Sequence, residues 1–132
     1  MHSVNRLKVA KRLNDQRPTS LKPLNVCIEV NLNQEISKSG VITGEEFLNL
    51  AKEIGCLPRL KLRGLMVIPE VSRKFTKQQK IFKKLSDYFV TLTRNGFSLD
   101  TLSMGMSNDF EAAISQGSTM VRIGKAIFAP SF

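Results

Sequence analysis

Apolar residues recur along this chain at two periods, and the periods alternate. Val26-Cys-Ile-Glu-Val-Asn-Leu32 is a β-branched run with a polar end and reads as a strand. From Thr43 the period changes to that of a helix. Phe47, Leu48, Leu50, Ala51 and Ile54 form an apolar stripe, Thr43 and Glu46 have capping-box spacing, and Gly55 is placed to end the helix as its C′ residue. Leu62-Arg-Gly-Leu-Met-Val-Ile-Pro69 is the next strand, stopped by Pro69. A long helix follows over residues 74–94, with Phe75, Phe82, Leu85, Phe89 and Leu92 at helical spacing and Gly96 at its end. Residues 99–106 predict a strand, 108–116 a helix and 120–128 a final strand. Nearer the start, residues 7–13 predict a helix ahead of Arg17-Pro18-Thr19-Ser20, and Ser3-Val4 reads as the tail of a strand.

The resulting order is (end of β)-α-β-α-β-α-β-α-β, with no internal repeat and no low-complexity linker, so residues 1–132 are expected to form a single domain. Strands separated by helices pair in parallel through right-handed crossovers. The C-terminal ends of the strands carry the polar clusters: Asn31, Met66 before Ile68-Pro69, residues 103–107 and residues 122–125. In a (β/α)8 barrel that face carries the chemistry, and the loops after the last two strands commonly hold a phosphate. An open doubly wound sheet has the same local pattern, so alternation alone leaves both architectures open.

Two turns in the last β-α-β unit have the chemistry of a phosphate site. Gly105-Met106-Ser107 runs into a helix start, where free N–H groups and a partial positive charge favour an anion, glycine permits close backbone approach and Ser107 adds a hydroxyl. Arg122-Ile123-Gly124 supplies a forked cation and an open backbone N–H at the end of a strand. Asp109 and Glu111 suit the helix dipole but repel anions, and are expected to point away from the ligand. Taken singly, the first turn reads rather as a strand–helix connection with Ser107 or Asn108 as N-cap. Taken together, the two turns converge on one anion. Asn31 reads either as a turn residue or as a ligand contact, Lys38-Ser39-Gly40 as a solvated turn, and Met66 as core.

Composition narrows the classes. No apolar run approaches the roughly 20 residues that span a bilayer, and Met1-His2-Ser3-Val4-Asn5-Arg6 has no apolar signal segment. Cys27 and Cys56 lack metal-type spacing and read as reduced thiols of a cytoplasmic protein, and with His2 as the only histidine a zinc site is not expected. The formal net charge is +9, from 20 Lys and Arg against 11 Asp and Glu. Its densest segment, Arg73, Lys74, Lys77, Lys80, Lys83 and Lys84, has the spacing of a solvated helix face and matches no recognition motif. A basic nucleic-acid-binding module is therefore the weakest of the readings.

The stretch Leu102-Ser-Met-Gly-Met-Ser107-Asn-Asp-Phe-Glu-Ala-Ala-Ile-Ser-Gln-Gly117-Ser-Thr-Met-Val-Arg122-Ile-Gly124-Lys-Ala-Ile-Phe128 closely resembles the signature of the pyridoxal-phosphate homeostasis proteins, the YggS/PROSC family related to the N-terminal barrel of alanine racemases. Further likeness lies in Arg12-Leu-Asn-Asp-Gln-Arg-Pro18, Asn25-Val-Cys-Ile-Glu-Val-Asn31, Lys38-Ser39-Gly40 and Gly64-Leu-Met66, so the resemblance covers essentially the whole chain. It implies an α/β fold, a partial (β/α)8 TIM barrel comprising about the C-terminal half. It also implies pyridoxal 5′-phosphate as cofactor, held at its phosphate by Ser107, Arg122, Gly124 and the backbone at Lys125, with Asn31 and Met66 near the ring. The family carries the cofactor and regulates vitamin B6 and amino-acid pools, with no established reaction. An amino-acid racemase- or decarboxylase-like enzyme is the alternative, against which stand a single tyrosine, Tyr88, in a predicted helix and a single histidine near the chain start.

The resemblance has departures. The family usually has Thr where Lys125 stands and Gly where Ala129 stands. Its Schiff-base lysine lies on an early strand, and no residue here matches that motif. The chain start resembles a mid-barrel strand end, so the first half of a barrel of about 250 residues is expected to be absent. Unpaired strand edges would then favour self-association.

Overall fold

The computed structural model describes residues 1–32, 41–42 and 44–128. Thr43, Lys38-Ser39-Gly40 and Ala129 lie outside the described residues. The elements in chain order are α1 (Leu7–Gln16), β1 (Leu24–Asn31), β2 (Val41–Ile42), α2 (Glu45–Gly55), β3 (Leu60–Met66), α3 (Phe75–Arg94), β4 (Thr101–Ser103), α4 (Phe110–Ser115) and α5 (Lys125–Phe128).

All strand pairing among the described residues is parallel, in the order β2-β1-β3-β4. Val4 bridges to Ile28 on the outer edge of β1, β2 continues that edge at Val30 and Asn31, and Met120 bridges to Ser103 beyond β4. Apart from the two-residue β2, spatial order follows sequence order: Val4, β1, β3, β4, Met120. A doubly wound sheet reverses its strand order at a switch point; this one does not. The described strands are an arc of barrel wall.

The helices pack on that arc through their apolar stripes. Phe47, Leu50, Ala51 and Ile54 of α2 and Phe82, Leu85 and Leu92 of α3 are buried against Val26, Ile28, Val30 and Leu65 of the sheet. Phe47 meets the Tyr88 ring edge-on at 5.6 Å, a favoured aromatic geometry. Strand β1 is buried on both faces: Val26, Ile28 and Val30 join the helix-covered core, while Cys27, Glu29 and Asn31 alternate onto the inner side and are buried too. Lys74, Lys77, Lys80, Lys83 and Lys84 are exposed along the outside of α3, as their spacing predicts.

Several boundaries differ from the expected ones for identifiable reasons. Strand β3 covers Leu60–Met66 and stops three residues before Pro69. The expected strand over 99–106 is only Thr101–Ser103, because the chain turns away at Gly105. The expected final strand over 120–128 shrinks to the bridge at Met120, and Lys125–Phe128 is helical. Gly55 lies inside α2, whose C-cap is Cys56 in the right-handed region. Gly96 does end α3. At φ 91° it lets Phe97 N–H reach the Leu92 carbonyl at 3.2 Å and its own N–H reach Thr93 at 3.2 Å, the paired bonds of a Schellman cap. Phe75, at the first turn of α3, is 47% exposed rather than core. No helix among the described residues is long and apolar enough to cross a membrane.

Candidate functional site

Beyond β4 the chain enters a turn that only glycine accommodates. Gly105 has φ 104°, and a Cβ there would lie 2.8 Å from Ala113 Cβ and 3.1 Å from Phe110 Cα. The first strain is conformational and the second steric. This close approach lets the second turn dock on the first. Arg122 N–H donates to the Gly105 carbonyl at 2.8 Å, Met104 N–H to the Met120 carbonyl at 3.1 Å, and Ala126 N–H to Ser107 Oγ at 3.0 Å. Ser107 therefore ties the turns together and is not the N-cap of α4. That position belongs to Asp109, which makes no side-chain cap; its carboxylate instead accepts Met106 N–H at 2.7 Å.

Between the turns and the loop after β3 lies a cavity of about 440 Å³. Ser107, Arg122, Gly124 and Lys125 all line it, together with Met106, Asn108, Asp109, Ile123 and the segment Ile68, Pro69, Val71 and Ser72. The backbone N–H groups of Gly124 and Lys125 have no hydrogen-bond partner among the described residues. Asn31 and Met66 are buried at the ends of β1 and β3 but do not line this cavity. Asp109 was expected to point away and instead forms part of the lining, held there by Met106 N–H; Glu111 lies outside the lining.

Arg122 is built into the barrel wall. Its Nη1 donates to Ser103 Oγ at 2.6 Å and its Nη2 to the Val67 carbonyl at 2.9 Å. Ser103 is fully buried and also lies 2.8 Å from His2 Nδ1. With Arg122 donating to Oγ, the Ser103 proton is free for His2 Nδ1, which matches a neutral imidazole. Burial lowers the His2 pKa below its ordinary value, and the terminal ammonium and Arg122 lower it further. Burial also lowers the Arg122 pKa, opposed by the charges of Asp109 and Glu29. The sequence singled out Arg122 but not Ser103 or Val67, its two anchors. The period-2 pattern of β4 was the available signal, since it places a small polar residue on the inner side.

The contribution of the loop after β3 was also missed. Ile68, Pro69 and Val71 give the cavity an apolar wall, which suits a ligand with a flat apolar body beside its charged group. Their apolar character reads from sequence simply as strand end and loop.

Among curated proteins, a pyridoxal phosphate homeostasis protein of Escherichia coli is 50% identical over 127 residues, 96% of this chain and 54% of that protein. One from Vibrio alginolyticus is 54% identical over 128 residues, 97% of this chain and 54% of that protein. Among solved structures, PipY of Synechococcus elongatus with pyridoxal phosphate bound matches with a TM-score of 0.85 at 26% identity, covering 97% of this chain and 59% of that one. The chain spans about half the length of the curated relatives it matches. With strand order, glycine-dependent turns and these relatives in agreement, and with residues 1–131 matching its domain description, the chain belongs to the family of the alanine racemase N-terminal domain.

Proposed function

We propose that the cavity between the two turns takes the phosphate of pyridoxal 5′-phosphate, and that the protein serves to hold and supply this cofactor in the cytoplasm. The carrying observation is that Ser107, Arg122, Gly124 and Lys125, separated by up to eighteen positions in sequence, line one cavity. The donor set fits the group: a serine hydroxyl, two backbone N–H groups without partners among the described residues, an always-charged guanidinium and an ammonium. The Ile68, Pro69 and Val71 wall fits its ring, and Asn31 and Met66 are assigned to the ring side from the ends of β1 and β3. When bound, the cofactor supplies an aldehyde and an electron-withdrawing ring; the residues named here bind and orient it. The names of the relatives support a homeostatic role over catalysis. Self-association through the sheet edges belongs to the same reading, and concentration-dependent sedimentation tests it.

Calorimetric titration with pyridoxal 5′-phosphate and with pyridoxal tests the phosphate assignment. The phosphate form should bind at least about tenfold tighter, a difference of about 1.4 kcal/mol, and Ser107→Ala should erase most of that preference. Equal affinity for the two vitamers would end the assignment.

A further inference from the structure

A second cavity, about 730 Å³, opens beside the first and shares Val71, Ser72, Asn108 and Lys125 with it. Its remaining lining includes Arg73, Phe75 and Gln78, and no acidic residue. Gln78, buried, fastens its two walls: Nε2 donates to the Ser72 carbonyl at 2.6 Å and to the Asn108 carbonyl at 3.3 Å. Ser72 Oγ in turn accepts Lys74 N–H at 3.3 Å, which leaves its own proton to give. The pocket is thus a braced gap between the loops after β3 and β4.

Its charge is unbalanced. Neither Arg73 nor Lys125 has an ion pair or hydrogen-bond partner among the described residues, whereas Arg63 and Lys83 are paired with Asp100 and Asp87. Two cations lining one concave, acid-free surface repel each other until an anion enters between them. Lys125 stands on the wall common to both cavities, so an anion in either one is within its field. Arg73 belongs to the second alone.

We propose that the site has two parts: the first cavity takes one phosphoryl group and the second, through Arg73 and Lys125, takes another carried by the same ligand. The ligand class is a diphosphate, distinct from the monophosphorylated pyridoxal cofactor and competing with it for the first cavity. This rests on the reading that the first cavity holds a phosphate, and goes beyond it by naming a second anion subsite and the residues that build it.

The test is calorimetric titration of the 132-residue chain with inorganic phosphate and inorganic pyrophosphate, in the wild type, Arg73→Gln, Ser107→Ala and Lys84→Gln. Pyrophosphate should bind about tenfold tighter than phosphate. Arg73→Gln should bring that ratio close to one, Ser107→Ala should weaken both anions, and Lys84→Gln, on the exposed outer face of α3, should leave the ratio intact. Equal wild-type affinities, or a ratio that survives Arg73→Gln, would overturn the second subsite while leaving the first. A ratio lost equally in Lys84→Gln would reduce the preference to general surface charge and overturn it as well. No binding of either anion would overturn the phosphate reading and this inference together.

Discussion

The two ends of the strands use their basic residues in opposite ways. At the N-terminal ends every notable arginine is tied to the protein. Arg63 grips Asp100 with Nε 2.9 Å from Oδ1 and with a second contact through Nη2. Arg59 donates from Nη1 to the carbonyls of Asn14 and Asp15 at 3.2 Å, and its backbone N–H donates to Asn14 Oδ1 at 2.9 Å. At the C-terminal ends, Arg73 and Lys125 have no partner among the described residues, and the N–H groups of Gly124 and Lys125 are equally unengaged. Among the described basic residues of that rim only Arg122 is anchored. The difference teaches which rim holds the fold and which is left with donors for a ligand, the division expected of a barrel.

The strongest way to break the comparison is to break the wall both rims stand on. A Cβ at Gly64 would lie 1.6 Å from the Thr101 carbonyl oxygen, where β3 and β4 pair just past a register shift. Gly64→Ala should cost about 4 kcal/mol or more, seen as loss of the cooperative thermal transition; a near-wild-type transition would show that the wall does not depend on this approach. Gly105→Ala strains the ligand rim alone. Its positive φ and the 2.8 Å contact with Ala113 predict about 2–3 kcal/mol of destabilisation together with weakened pyridoxal 5′-phosphate binding by titration.

Asn14→Ala sharpens the contrast from the other end. It removes a buried acceptor from Arg59 N–H, so denaturant unfolding should show a loss of about 1–2 kcal/mol with cofactor affinity unchanged within about twofold. A parallel drop in affinity would show that the rims are coupled. The smallest effect concerns acid. The hydrogen bond from Arg63, then that from Thr101, pulls the Asp100 carboxyl from 3.8 down to about 2. The unfolded chain therefore binds this proton first as pH falls. The contribution is full above 3.8 and is lost as pH drops from 3.8 toward about 2. Because the pair is exposed, the loss is small; Asp100→Asn should flatten that part of the stability–pH curve.

Much of this was legible in the sequence. The helices over Leu7–Gln16, Glu45–Gly55 and Phe75–Arg94 follow apolar stripes that packing then rewards, and β1 follows its β-branched run. The last unit was harder. Val121, Ile123, Ile127 and Phe128 have strand-like composition, but the docking of Arg122 on Gly105 and the Ser107–Ala126 bond bend that segment out of the sheet and into a helical turn. Those are tertiary contacts that no local period encodes. The site was readable where residue type carries chemistry, as at Ser107 and Arg122. It was not readable at Val67 and the Ile68–Pro69–Val71 wall, whose roles come from position alone, and at Ser103 the period of β4 gave its side but not its partner.

The central claim is that the phosphate of pyridoxal 5′-phosphate lodges between the turns. Backbone amide chemical shifts, followed by NMR as pyridoxal 5′-phosphate is added, test it most directly. The account predicts perturbations concentrated at Ser107, Gly124 and Lys125, with Asn25, Arg59 and Thr101 at the opposite rim unmoved. Shifts centred on that opposite rim, or none at saturating cofactor, would contradict it.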